Sequence, residues 1–466
     1  MLRSGLGRLG LSGLLALASG LGAVQAPAQT PGESLADVMV EAFLNSPDLA
    51  AQRSDVRIAS ELAVQARSLG RVQVSGQIGL EAEARGDSEN AVFPTTLQLV
   101  ASQAIYSGGQ IENQTEAAEK RISAEEALLI ATEQGVLLDA VTAFLDVRRD
   151  GFLLDVSRNN VRVLTEQLRA AQERFEVGEV TRTDVEQARA ALAAARSNLA
   201  ATQGQLRISR ENFADVVGRP PAQLLPPPPL PDLPENIEAA VQLAVRNEPN
   251  LLAARIERDA SGSDVRAAIG ALLPQVSLQG TLSQLNTLED DFDGQQAASV
   301  GVVVTIPFYS GGGNYAAVRQ AQASVEGAEA AITNALRDAI RNTGIAWSSL
   351  EVARASIEAG RLEVRAAQLA FEGVTEEAKV GARTTLDVLD AEEDVLDARA
   401  GLISAQRDEY VAAYQILASI GLLTVDHLGL DVGSAPSVAD YYAGVRDRNF
   451  GYDPSDDTVW SLSYRP

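Results

Sequence analysis

The chain has 466 residues, with 38 Lys plus Arg against 63 Asp plus Glu, a single His and no Cys. Without Cys there is no disulfide scaffold, thiolate catalysis or Cys-ligated zinc, and the lone His427 leaves neither a His-based metal site nor a Ser-His-Asp triad. The net charge of −25 runs against unspecific nucleic-acid binding, which needs a basic surface, and no enzyme activity, cofactor or metal site is expected.

At the start of the chain, Arg3 and Arg8 precede an apolar stretch from Leu9 to Val24 that ends in Ala26-Pro27-Ala28. This is the pattern of a secretory signal peptide over residues 1–28. The stretch is diluted by Gly and Ser, so a membrane anchor, which needs ~20 apolar residues, is the weaker reading. No later apolar run approaches ~18 residues, so entry into a membrane is expected only as a closed β-barrel.

The mature chain reads as two copies of one unit. Ser46-Pro47-Asp48-Leu49 returns as Glu248-Pro249-Asn250-Leu251, 202 residues later. Tyr106-Ser107-Gly108-Gly109 returns as Tyr309-Ser310-Gly311-Gly312 at 203, and Val177-Gly178, Thr181 and Asp184-Val185 return as Val380-Gly381, Thr384 and Asp387-Val388 at the same offset. The first repeat covers 29–219 and the second 236–423. A Pro-rich stretch at 220–235, from Pro220-Pro221 to Pro234, predicts a stiff extended linker. The tail, 424–466, mixes Gly, Pro, Asp and Tyr and is expected to be partly disordered.

In the first repeat, Ser34 and Asp37 mark the start of a short amphipathic helix, and Pro47 opens a second helix running to about Leu69. The period then changes from that of a helix to two. Val72, Val74, Gly76, Ile78, Leu80 and Ala82 alternate with polar residues, predicting a strand over about 71–84 and, after a loop, another over 95–106. The second repeat predicts strands over 274–286 and 297–309. Such lengths suit tilted membrane strands, although a half-buried soluble hairpin shares the pattern.

Each Ser-Gly-Gly is followed by a helix of unusual length, about 109–176 and 313–379, or ~100 Å at 1.5 Å per residue. Val147, Leu154, Val161, Leu168 and Phe175 lie seven apart, as in a coiled-coil seam. Turns at Val177-Gly178 and Val380-Gly381 reverse the chain into return helices over about 182–217 and 385–420. Those are too short to cover the long helices alone, so the preceding helix is expected to stack end to end with each. The fold class is therefore mainly α, with a β-barrel part and two tandem repeats. Four strands per chain cannot seal a barrel, for which ~8 is the practical minimum. Three chains would supply enough strands for a conducting pore.

At Ile105-Tyr106-Ser107-Gly108-Gly109, Pro307-Phe308-Tyr309-Ser310-Gly311-Gly312, Arg174-Phe175-Glu176-Val177-Gly178, Val380-Gly381-Ala382-Arg383-Thr384 and Leu386-Asp387-Val388-Leu389-Asp390-Ala391, the sequence resembles the outer-membrane efflux protein family, the TolC-like exit ducts. The resemblance spans about residues 33–423. It implies a homotrimer in the outer-membrane lipid, with a shared 12-stranded transmembrane barrel and an α-barrel reaching through the periplasm. It also implies a periplasmic adaptor and an inner-membrane transporter as partners, with drugs or proteins exported by efflux or type I secretion.

Residue by residue, the resemblance implies a gate constriction at Asp387 and Asp390, and a latch between Arg383 and the pair Thr183 and Asp184. It also implies adaptor-docking tips at Val177, Gly178, Glu179, Val180, Val380, Gly381 and Ala382. Tyr106, Gly108, Gly109, Pro307, Tyr309, Gly311 and Gly312 would form the strand-to-helix junctions. Ala378 stands where the family has a second latch residue, a Tyr. The rival is a soluble periplasmic coiled-coil adaptor or scaffold, which would insert one helical hairpin among β-rich domains instead of repeating the whole unit.

Overall fold

The computed structural model describes residues 32–81, 83–84, 91–92, 94–287, 295–433 and 438–448. The expected signal peptide lies outside the described residues. Along the first half run α1 (Leu35–Asn45), α2 (Pro47–Ser68), β1 (Gln73–Leu80), β2 (Glu83–Ala84), β3 (Ala91–Val92), β4 (Pro94–Tyr106), α3 (Gln110–Glu176) and α4 (Arg182–Val217). The second half follows with α5 (Ile237–Asn247), α6 (Pro249–Gly270), β5 (Gln275–Thr287), β6 (Gln295–Thr305), α7 (Gly313–Lys379) and α8 (Thr385–Ser419), and then α9 (Val425–Leu428) and α10 (Val438–Val445).

Local chemistry sets these boundaries. Ser34 and Asp37 form a full capping box at the start of α1, and Pro47 and Pro249 occupy the first turns of α2 and α6. The first strand is shorter than its pattern predicts: β1 stops at Leu80, and the hairpin is continued by the short β2–β3 pair. Similarly β6 stops at Thr305, before Pro307, which has no N–H for a ladder.

Four strands form one antiparallel sheet in the order β1-β4-β5-β6. Its register puts Val74 opposite Ala101, Leu99 opposite Leu282, and Leu278 opposite Val302. With a side-chain period of two, one face therefore carries Val74, Ile78, Leu97, Leu99, Leu278, Leu282, Val300, Val302 and Val304. The opposite face carries Gln73, Ser75, Gln77, Gln98, Ser102, Ser277, Gln279, Thr281 and Ser299. One face is thus mainly apolar and the other mainly uncharged polar, with Val100, Leu285 and Val303 among the polar residues, which matches a lipid surface and a wet lumen.

Below the sheet, the helices form an arc. On one side α3 packs against α2 and α4, and on the other against α6 and α8; α7 packs against α5, α6 and α8. Along α3, α2 meets the upper part around Ile122 and α4 the lower part around Leu164 and Ala171. The main core lies midway down the stalk, where Phe144, Leu137, Phe213, Leu350, Ile416, Leu417 and Leu423 are buried together with α1. One window of α3 is apolar enough by composition to cross a bilayer, contrary to the expectation that no such stretch exists, yet 44% of that window is buried inside the chain. Its hydrophobicity accompanies core packing.

The Pro-rich stretch is extended and docked. Glu33 donates its N–H to the Gln223 carbonyl at 2.8 Å, Arg148 donates to the Leu224 carbonyl at 3.0 Å, and Tyr410 donates to the Pro228 carbonyl at 3.0 Å. The described parts of the tail are packed as well. The Val425 N–H bonds to Glu133 at 2.7 Å, and α10 lies along α2.

Candidate functional site: helix tips and strand-to-helix junctions

The two tips are built alike. Gly178 and Gly381 both adopt φ +79, a left-handed conformation that Gly enters without the Cβ penalty. The reversed chain then closes back on the helix end, Glu179 N–H bonding to the Arg174 carbonyl and Ala382 N–H to the Glu377 carbonyl, each at 2.9 Å. Val177 is 71% exposed and Val380 81%, so both tips present a bare apolar side chain beside an exposed backbone turn. Glu179 is exposed and Val180 half-buried.

Each return helix starts in a capping box, on a T-x-x-D spacing whose aspartates, Asp184 and Asp387, were expected only in the latch and the gate. Thr181 donates its N–H and hydroxyl to Asp184 at 2.8 and 2.7 Å; Thr384 donates both to Asp387 at 2.8 Å. In the first hairpin, therefore, Asp184 is bound to Thr181, while Thr183 sits exposed beside it. The bonds from the Thr384 backbone and hydroxyl hold the Asp387 carboxyl below its usual range, and the nearby Arg383 acts in the same direction. Asp390 is exposed one turn further on, on the same helix face. Arg383 bonds to Glu377 of its own hairpin at 2.8 Å, which holds its guanidinium pKa up. Within one chain, the three expected latch residues are thus bonded or placed within their own hairpins.

A second set of contacts joins the two hairpins just above the tips, and no motif announced it. Leu389 of α8 packs with Leu164 of α3 and with Leu192 and Ala195 of α4. One turn on, Glu392 is only 7% exposed and accepts a 2.6 Å bond from the Gln167 amide of α3. Burial raises the Glu392 pKa, and the Gln167 bond opposes that rise. Nearer the core, Arg407 of α8 bridges to Asp146 of α3 at 2.7 Å. The signal for Leu389 was its heptad position; Glu392 looked like any other acid on a helix.

At the other end of the stalk, Gly109 (φ +80) and Gly312 (φ +84) are the left-handed N-caps of α3 and α7. Gly108 (φ +68) is wedged: a Cβ there would lie 2.5 Å from the Gly270 carbonyl oxygen. Among the described residues, its counterpart Gly311 (φ +62) has nothing within 4 Å of that position. Tyr106 is half exposed and Tyr309 is 90% exposed at the foot of the sheet, with Pro307 ending β6 beside it. Aromatic residues at this level suit a membrane–water interface.

Comparison with known proteins agrees with this geometry. The family model for outer membrane efflux proteins matches residues 38–219 and 240–422. Over 423 residues the chain is 36% identical to the outer membrane efflux protein BepC of Brucella suis, covering 90% of this chain and 92% of that protein. It is 26% identical over 424 residues to TolC of Escherichia coli, covering 85% and 84%. The CmeC outer membrane channel of Campylobacter jejuni superposes with a TM-score of 0.76 at 17% identity, covering 89% of each chain. With both repeats matched and nearly the full length of its relatives covered, the chain belongs to the outer membrane efflux protein family, a family of transport channels seated in the bacterial outer membrane.

Proposed function

We propose that three copies of this chain close into one exit duct, which docks a periplasmic adaptor and an inner-membrane transporter and passes drugs or proteins outward. The observation that carries the reading is that the sheet and the stalk are left open along the same two sides. At one side β1 is an edge strand and continues from α2; at the other β6 is an edge strand and leads into α7. Unpaired strand edges in lipid cost several kcal/mol for each unsatisfied backbone group, about 4–8 in the water-to-cyclohexane limit. A head-to-tail contact that pairs β6 with β1 therefore also brings α7 against α2 and α4, and such contacts close into rings. Two copies would give eight strands, whose barrel is filled by side chains; three give twelve and a lumen.

The tips are the gate of this duct. Three-fold symmetry gathers Asp387 and Asp390 from every copy around one constriction, where a polyvalent cation would bind. Arg383 serves as a latch by exchanging Glu377 for Thr183 and Asp184 of an adjacent hairpin, and Val177, Glu179, Val180 and Val380 offer the adaptor its docking surface. Fractionation with single-channel recording tests the whole: a heat-modifiable trimer from the outer membrane that conducts supports the duct. A monomer with no conductance would overturn it.

A further inference from the structure

We propose that the C-terminal helix α10 is part of the contact between neighbouring copies, a clasp at the top of the stalk that α7 of the next copy completes. This rests on the head-to-tail pairing above and adds an element outside the two repeats. Several independent contacts fix α10 in place. Tyr442 packs on the small cluster of Val56, Ala59, Ala63 and Ile122 between α2 and α3, and its hydroxyl bonds to Glu119 of α3 at 2.7 Å. The Tyr441 hydroxyl bonds to Glu61 of α2 at 2.8 Å. Arg71, two residues before β1, donates to the Arg446 carbonyl at 2.8 Å, just past the C-terminal end of α10, where helix carbonyls favour a cation. The helix is thus held in the α2–α3 groove directly beneath the sheet.

The repeat symmetry says what lies beside it. Within the chain, α6 sits between α3 and α7, and it meets α3 through Glu257 and Asp264, both bonded to Arg121, and through Ser263, bonded to Lys120. The corresponding positions on α2, 202 residues earlier, are Asp55, Leu62 and Glu61. They lie away from the residues that α2 turns toward α3, so this is the face on which a neighbour's α7 must pack. Beside the acidic Asp55 and Glu61 it leaves two large apolar side chains uncovered: Ile58 is 57% exposed and Leu62 52%.

Tyr441 forms one wall of this same surface, with Ser54, Ile58, Leu62 and Gln65. On α7, the counterparts of Lys120 and Arg121 are Ala323 and Ser324, both exposed and small enough to receive Ile58, Leu62 and the Tyr441 ring. The occupant is therefore a second copy of this chain.

The absence of native Cys makes disulfide trapping clean. Full-length Leu62→Cys with Ser324→Cys tests the helix pairing alone, and Tyr441→Cys with Ala323→Cys tests the clasp. Under mild oxidation both pairs are expected to give covalently linked trimers on denaturing gels. If the first pair links and the second does not, α10 stands outside the interface and the proposal is overturned while the pairing survives. If neither links, the pairing itself is wrong and the clasp falls with it. Independently, Tyr441→Ala should lower the temperature at which trimers dissociate in detergent by several degrees; an unchanged temperature overturns the clasp.

Discussion

On the proposed gate, opening at the tip parts the α7–α8 hairpin from α3–α4, and Leu389 is an apolar side chain that crosses this seam. It is buried against Leu164, Leu192 and Ala195, so opening returns it to water. Leu389→Ala deletes three carbons; at ~0.8 kcal/mol per buried CH₂ the closed seam loses about 2.4 kcal/mol, while the open state, already solvated there, loses little. Since 1.4 kcal/mol is a factor of ten, the closed-to-open ratio should fall by about fifty-fold. The main core around Phe144 and Ile416 is far up the stalk, so trimer formation should survive. Single-channel recording of purified trimers reads the effect as raised open probability. An intact trimer with unchanged open probability would refute the idea that this seam separates on opening.

Four further outcomes follow from the same geometry. Asp390→Ala should weaken block by polyvalent cations in single-channel traces without harming α8, whereas Asp387→Ala keeps the Thr384 hydroxyl cap but should also cost about 1 kcal/mol through loss of the reciprocal carboxylate bonds from Thr384; full block in Asp390→Ala with Asp387→Ala would take both out of the gate. Arg383→Ser should raise closed-state conductance, and because its bond to Glu377 is an exposed ion pair, a conductance change would report on the gate rather than on folding; no rise removes the latch. Glu392, its pKa raised by burial, favours the closed seam below the ordinary carboxyl value of 4.5 and loses that contribution as pH climbs through the raised value, so acid should close the duct and Glu392→Gln should flatten the pH profile. Gly108→Ala places a Cβ 2.5 Å from the Gly270 carbonyl and should sharply lower the yield of membrane-assembled protein, while Gly178→Ala, in open space, should cost only the left-handed backbone penalty of about 1–2 kcal/mol, read by thermal melting.

Most of this architecture was legible because it is periodic. Alternation over eight to thirteen residues marks β1, β4, β5 and β6, and heptads extending over α3 and α7 cannot be mistaken for globular helices. The 202- and 203-residue offsets fixed the repeat, and with it the matching tips. What escaped was non-periodic: α10 is eight residues long, too short for a face to emerge, and its two Tyr–Glu bonds depend on elements more than three hundred residues away. Glu392 escaped for another reason. An acid on a helix reads as solvated, and only the convergence of α3 and α8 puts it under cover with an amide as its hydrogen-bond partner. The T-x-x-D boxes were visible as a spacing, but one carboxylate can serve both as a cap and as a gate group.

The two repeats are equal in pattern and unequal in surroundings, and that inequality is what builds a closed object from an open chain. α3 is clothed on both sides, by α2 and α4 and by α6 and α8, and its midsection supplies much of the core, including Val136, Leu137, Val141, Phe144 and Leu145. Its counterpart α7 leaves Tyr315, Ile345, Val352, Leu362 and Leu369 exposed, a row that water would not retain on a free helix of this length. A Cβ at Gly108 would run into Gly270 of the same chain, while one at Gly311 would meet none of the described residues within 4 Å. Duplication gave both helices the same rod, but only one of them can find its second neighbour inside the same polypeptide. A single chain is thus one arc whose last rod awaits the first rod of another copy, and the sheet above ends at the same two edges, so lipid and water impose the same closure.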